Sequence, residues 1–248
     1  MRLAIIGYGK MGHAVEQQAR ARGHEIVCVI DAGEENKFSS DEFASADVAI
    51  EFSVPTAAVD NYRRAFDAGV PVVSGTTAWT DSLPQVLEMM IAKGATLMWS
   101  SNFSLGVNIF RRLNVFLTRM MTNFPDYRPA LHEVHHIHKL DHPSGTAKTL
   151  ATELVAAAAP GITGWSETDC GPQSLTVTHE RVGEVPGTHI VTWTSPVDRI
   201  TIEHRAFSRD GFALGAVMAA EWLNDSGRKG YLTIDDMMDS MGLCLPTT

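Results

Sequence analysis

What most constrains this chain stands at its very start. Residues 2–6 (Arg-Leu-Ala-Ile-Ile) form a short apolar run, and Gly7-Tyr8-Gly9-Lys10-Met11-Gly12 follow at once. A helical pattern then continues to about Arg22, where Gly23 supplies a stop, and Glu25–Ile30 is a second apolar run that ends at Asp31. A Gly-x-Gly-x-x-Gly string alone marks any tight turn. Set between a strand and a helix, with an acid nineteen positions after its last glycine, it has the layout of a dinucleotide-binding βαβ unit. The glycines allow the turn, the approach of a pyrophosphate and close helix packing, while Asp31 accepts hydrogen bonds from the adenosine ribose. A carboxylate there suits the free 2′-hydroxyl of NADH and repels the 2′-phosphate of NADPH. Glu34 and Glu35 add negative charge and only Lys37 offsets them, so NADH is expected to be preferred over NADPH.

The same alternation continues. Residues 47–52 form a strand, Pro55 opens a helix that ends near Gly69, and residues 70–74 form a strand leading into Gly75-Thr76-Thr77. A helix over residues 81–93 and a strand over residues 95–100 follow, then Ser101-Asn102-Phe103. Loops at the carboxyl ends of strands are where a cofactor lies in a doubly wound sheet, so Gly75, Thr76, Thr77 and Ser100 to Phe103 are candidates for its nicotinamide side.

After Ser104 the pattern changes. Residues 107–124 read as one long helix, with Ile109, Leu113, Phe116, Leu117 and Met120 as its core stripe. A helix over residues 146–159 precedes the breaker Pro160-Gly161. Strands over 174–182, 188–194 and 199–206 have no helices between them, which argues for an antiparallel or mixed sheet in a second domain. A helix over 211–223 and a helical tail over 231–241 complete the chain. The expected architecture is α/β: a Rossmann-type doubly wound parallel sheet over residues 1–103, rejoined by about 214–248, plus an α+β domain over 104–213. A sheet with an open face and edge invites self-association.

Within the second domain lies His132-Glu133-Val134-His135-His136-Ile137-His138-Lys139-Leu140-Asp141-His142-Pro143-Ser144-Gly145-Thr146-Ala147. Five of the ten histidines fall here, in a chain of net charge −9. Such a local reversal of sign points to an anion or to proton transfer. Gly145-Thr146 at a helix mouth leaves free N–H groups that suit a carboxylate or phosphate. His132-Glu133-Val134-His135-His136 also fits H-E-x-x-H, which binds zinc only on a helix. Residues 130–139 alternate instead, and on a strand His132 and His136 would stand roughly 13 Å apart. The preferred reading places His135 and Lys139 on one strand face as acid/base and anion-binding groups, with no metal.

Gly7 to Gly12, Gly75-Thr76-Thr77, Ser101 to Asn108 (Ser-Asn-Phe-Ser-Leu-Gly-Val-Asn) and above all His135 to Ala147 together resemble the dihydrodipicolinate reductase family, over nearly the whole chain. The resemblance implies reduction of a cyclic dicarboxylate by NADH or NADPH, with loss of water, in lysine and diaminopimelate biosynthesis. It implies a homotetramer joined through the C-terminal sheets. By motif, His135 would be the proton donor/acceptor and Lys139 the second donor; His136, Ser144, Gly145 and Thr146 would hold substrate. Gly7, Tyr8, Gly9, Lys10, Met11, Gly12, Asp31, Gly75, Thr76, Thr77, Ser100, Ser101, Asn102 and Phe103 would hold the cofactor. The glycine turn departs from the family by being a residue shorter, with Lys10 where arginine is usual.

Two other functions remain open on the residues: a zinc hydrolase built on His132 to His136, and an NAD-sensing module without turnover. The acidic balance speaks against nucleic acid as a partner. No apolar run approaches the roughly 18 residues of a membrane span. With Cys28, Cys170 and Cys244 widely spaced and no secretory leader, a cytoplasmic location is expected.

Overall fold

The computed structural model describes residues 1–158, 161–168, 171, 173–208 and 210–243; Cys170 and Cys244 lie outside them. The chain forms two compact units, one of Met1–Leu105 with Asp210–Gly242 and one of residues 106–208 with Leu243. In chain order the first unit begins with β1 (Arg2–Ile6), α1 (Lys10–Ala21), β2 (Glu25–Ile30), α2 (Asp41–Ala44) and β3 (Val48–Glu51). It continues with α3 (Pro55–Asp67), β4 (Val72–Ser74), α4 (Leu83–Lys93) and β5 (Thr96–Trp99). The second unit holds α5 (Leu105–Met121), which begins on the last residue of the first, then β6 (Arg128–His135), α6 (Gly145–Ala158), β7 (Gly164–Ser166), β8 (Ser174–Arg181), β9 (Thr188–Thr194) and β10 (Arg199–Arg205). The chain then returns to the first unit with α7 (Asp210–Ser226), β11 (Gly230–Thr233) and α8 (Ile234–Ser240).

The first sheet is parallel, in the order β11-β5-β4-β3-β1-β2. Its strands are near-continuous apolar runs because both faces are covered. Leu3, Ile5, Val48, Ile50, Val73 and Met98 face one layer, with α1, α7 and α8. Ala4, Ile6, Ala49, Val72 and Leu97 face the other, with Tyr62, Phe66, Val86 and Met90 from α3 and α4. Each large apolar side chain so buried contributes about 1.5–3 kcal/mol. One close approach fixes α7 against the strand ends: a Cβ on Gly215 would lie 1.8 Å from the carbonyl oxygen of Phe103.

The tail corrects an expectation. Residues 230–233 are not helical but form β11, parallel to β5 and adding a sixth strand. Tyr231, Leu232 and Thr233 are too short a run for periodicity to separate strand from helix, and pairing with β5 decides it. The helix begins only at Ile234, where Thr233 and Asp236 form a reciprocal capping box.

The second sheet is mixed, in the order β10-β9-β6-β8-β7, with β6 parallel to β8 and antiparallel to β9. Leu131, Leu175, Val177, Val191 and Trp193 pack with Phe110, Leu117 and Met121 of α5 and Leu150 and Leu154 of α6. Here a second expectation fails. Ile109, Leu113, Phe116 and Met120 are exposed, and of the expected stripe only Leu117 is buried. The face turned inward is Phe110, Asn114, Leu117 and Met121. It carries an asparagine because Asn114 Nδ2 donates to the Leu150 carbonyl at 3.2 Å. The period was correct and its phase was not.

The histidine-rich segment supplies a third correction. The strand stops at His135 and the chain turns, with Ile137 N–H bonded to Gly183 O and Lys139 N–H to His136 O. His135 and Lys139 therefore do not share a strand face.

Candidate functional site

In the first unit the turn after β1 is built as a cradle. Gly7 has φ +86°, and a Cβ there would lie 2.2 Å from Phe52 O. A Cβ on Gly12 would lie 2.2 Å from Gly7 O, so the third glycine lets α1 pack onto the turn. Gly9 differs: a Cβ there would meet nothing within 4 Å. Its small size serves no protein contact and leaves room for a ligand at the amino end of α1, where N–H groups point outward. Lys10 is exposed on that first turn and Met11 half-buried. A cavity of about 330 Å³ lies alongside, lined among others by Gly7, Tyr8, Gly9, Asp31, Glu35 and Asn61. Asp31 accepts from Tyr8 N–H at 3.2 Å, Glu34 from Asp31 N–H at 3.1 Å, and Lys37 pairs with Glu34 at 2.7 Å. These residues fit an adenine dinucleotide: glycines where phosphate needs space, a carboxylate at the tip of β2.

The two further loops are held from below. Glu51, wholly buried, accepts from Ser74 Oγ at 2.6 Å and Thr76 Oγ1 at 3.0 Å. Trp79 and Trp99 both donate to Thr76 O, at 2.9 and 2.8 Å. Gly75 is where the Phe52 ring sits; a Cβ would lie 2.0 Å from it. Thr76 is thus an internal brace, whereas Thr77 is exposed. In the next loop Ser100 Oγ donates to Asn102 O at 2.9 Å, and Asn102 Oδ1 accepts from Ser104 N–H at 2.9 Å. Ser101 is exposed, while the Phe103 side chain is core.

In the second unit, alternation along β6 puts Leu131, Glu133 and His135 on its inner face. Strand register then sets His189 of β9 opposite Glu133, and Arg181 of β8 opposite His135. Glu133 Oε1 accepts from Ser144 N–H at 3.0 Å and from Arg181 Nη2 at 3.2 Å. Arg181 also donates to Lys139 O at 3.3 Å and Asp141 O at 2.7 Å, so one guanidinium ties the turn to the strand. Lys139 Nζ pairs with Asp141 at 2.8 Å. Ser144 is buried and its Oγ caps α6 by accepting from Ala147 N–H at 3.1 Å. Among the described residues the N–H groups of Gly145 and Thr146 have no acceptor, and a Cβ on Gly145 would meet nothing within 4 Å. His136 presents a buried Nδ1 with no hydrogen bond. A helix amino end, two open N–H groups and an unpartnered imidazole can hold an anion.

Burial alone would raise the Glu133 carboxyl, but His189, Ser144 and His135 outweigh it and hold it down to about 2. For His135, burial disfavours the charged ring and His189, Lys139 and Arg181 repel it, so despite Glu133 its value falls to about 4. The free chain therefore carries a neutral His135 near neutral pH. A nearby anion would favour its protonated form. A stability consequence follows. Below pH 6.5 the unfolded His135 takes up a proton that the folded ring refuses until about pH 4. Stability should fall across that window, by at most about 1.4 kcal/mol per pH unit from this group. Glu133 extends the loss as pH falls from 4.5 to about 2, and His204, depressed by burial, adds to it in the same sense. Urea titrations between pH 7.5 and 4 should show a shallower slope in His135→Gln.

Arg181 and His189 are site residues that sequence reasoning missed, and Glu133 was noticed only as part of a zinc motif. That motif runs along β6 and off its end at His135, so His132 and His136 share no helical face. Glu133, His135 and His189 do place one ligand atom each within 4.8 Å of the others. The Arg181 guanidinium on the same carboxylate already supplies its counter-charge, and a dication there would meet it.

Residues 1–103 match the family model described as dihydrodipicolinate reductase, N-terminus, and residues 106–238 match the one described as dihydrodipicolinate reductase, C-terminus. The chain is 42% identical over 241 residues to the 4-hydroxy-tetrahydrodipicolinate reductase of Christiangramia forsetii, covering 97% of this chain and 99% of that protein. It is 35% identical over 262 residues to the enzyme of the same name from Archaeoglobus fulgidus, covering 96% and 100%. Among solved structures, a dipicolinate-bound dihydrodipicolinate reductase from Paenisporosarcina sp. TG-14 shares the fold with a TM-score of 0.73 at 19% identity, over 94% of this chain and 97% of that one.

Proposed function

The chain belongs to the dihydrodipicolinate reductase family, and on that premise we propose that it reduces 4-hydroxy-tetrahydrodipicolinate to tetrahydrodipicolinate with loss of water, using NADH in preference to NADPH. Loss of the C4 hydroxyl as water leaves that carbon unsaturated and conjugated with the ring imine, and bound cofactor would supply a hydride to it. The electron pair displaced onto the neighbouring ring carbon must then be met by a proton, and His135 and Lys139 are the groups to give it. The N–H groups of Gly145 and Thr146, with His136, hold a carboxylate at the amino end of α6. The open N–H groups of Gly145 and Thr146 and the unpartnered Nδ1 of His136 are the observations that carry the reading. Gly7 to Gly12 and Asp31 bind the adenosine half of the cofactor; the loops at Gly75 to Thr77 and Ser100 to Phe103 border its other half, Phe103 through its main chain.

The test is NADH oxidation with substrate generated in place from pyruvate and aspartate semialdehyde. Pyridine-2,6-dicarboxylate should compete with substrate, and pyridine-2-carboxylate should bind far more weakly. Equal potency of the two would show that one carboxylate is recognised, not two.

Asp31, with Glu34 and Glu35 close by, sets the cofactor preference. NADH should bind more tightly than NADPH, and Asp31→Ala should narrow or reverse the gap; a wild-type chain that strongly favours NADPH would overturn this. We place the enzyme in the cytoplasm as a homotetramer joined through the sheet of the second unit. Ile200 and its β10 neighbours leave an exposed face there, and light scattering would report a lone chain if that face stays uncovered.

A further inference from the structure

Glu133 is a wholly buried carboxylate whose two oxygens live differently. Oε1 is fully engaged by Ser144 N–H and Arg181. Oε2 has no hydrogen bond, though His135 Nδ1 stands 3.4 Å away and His189 Nε2 3.6 Å away. His135 Nδ1 is equally buried and equally without a hydrogen bond. Leaving two buried polar atoms orphaned is ordinarily costly. Here each is the partner the other lacks, a few tenths of an ångström beyond a formed bond.

Resting on the reading of His135 as proton donor, we propose that Glu133 is its positioning residue. Oε2 takes the Nδ1–H of His135, fixing the tautomer so that Nε2 is the working nitrogen. The buried negative charge lets the ring accept a second proton once a dianion is bound. In the transfer step the Nε2–H bond breaks, a C–H bond forms at the substrate ring carbon, and the imidazole is left neutral with Nδ1–H still on Glu133. The groups facing His135 are Glu133 on its own strand, His189 from β9, Arg181 from β8 and Lys139 from the turn, itself paired with Asp141. Three of these four are cationic or can become so, and Glu133 is the carboxylate that opposes them. A Cβ on Gly187 would lie 3.1 Å from Nε2, so the glycine there keeps a side chain away from the working nitrogen. Arg181 pairs with Glu133 at 3.2 Å and donates to the Lys139 carbonyl at 3.3 Å, so one guanidinium touches the supports of both proposed donors.

Two measurements decide this. Nitrogen-15 spectra of histidine-labelled wild-type protein should show His135 as the Nδ1–H tautomer at neutral pH; an Nε2–H tautomer with bare Nδ1 would overturn the proposal. In kinetics, Glu133→Gln keeps an acceptor but removes the charge. The limb of kcat that falls with rising pH should move down by about one unit or more. Arg181→Gln removes the opposing charge and should move the same limb up. A role in stability alone would lower activity in both without moving the limb, and an unmoved limb in both overturns the proposal. If Glu133→Gln fails to fold, the tautomer and the Arg181→Gln limb still decide. A wild-type chain that oxidises no NADH would overturn the reductase reading instead, while the tautomer and the imidazole titration of each variant would still decide on Glu133.

Discussion

Lys139→Met and His135→Gln are each expected to lower kcat by roughly 10²-fold or more, with the KM for NADH near its wild-type value. If Lys139 only attracted the dianion, its loss would raise the substrate KM and spare kcat. A group that gives a proton or steadies charge formed during the reaction must show itself in kcat. Removing Lys139 leaves Asp141 unpaired, but that carboxylate is half exposed and water takes over, so stability should change little. His138→Gln is the control. It sits on the same turn, exposed, 3.2 Å from Glu184, and its loss should cost almost nothing. Near-normal kcat in both Lys139→Met and His135→Gln would leave the segment as a binding site only.

The second large effect is structural. Gly215→Ala puts a methyl group 1.8 Å from Phe103 O and 2.8 Å from its carbonyl carbon. Alanine is intrinsically the better helix former by about 1 kcal/mol, so propensity alone favours the change. Neither contact atom can swing aside, since both are main chain. The helix must lift off the strand ends, at an expected net loss of about 3 kcal/mol. Gly145→Ala, whose methyl would meet nothing within 4 Å, should shift a urea midpoint little. Equal midpoints for the two variants would refute the packing argument.

These residues also mark what could be read in advance. The βαβ start was legible because its signals are local: glycines, an apolar strand and an acid within one short stretch. Strands β8, β9 and β10 were legible for the same reason. Register was not. Arg181 and His189 reach the histidine segment only because β8 and β9 pair with β6 at one particular offset, and nothing within either strand states that offset. The phase of α5 was misjudged because hydropathy ranks Ile109 and Leu113 above Asn114, whereas the buried Asn114 is satisfied by a carbonyl of α6. Lys139 was placed on a strand because alternation ran past the point where Gly183 ends it. Each miss is a long-range contact overriding a local pattern.

The return of the chain to its first unit has a consequence during synthesis. Gly230 N–H reaches Thr96 Oγ1 across 134 residues of sequence. Until α7 and β11 emerge from the ribosome, the outer edge of β5 has no partner, and Leu3, Ile5, Val48, Ile50, Val73 and Met98 lack part of their cover. At about 5–20 residues per second, that interval lasts roughly 7–27 s. Apart from Leu243, the described residues of the second unit end at residue 208, and they can close within it. The later-made unit should therefore be protease-resistant first on stalled nascent chains, with the amino-terminal strands waiting, sticky and in need of a holdase, for the tail that finishes them.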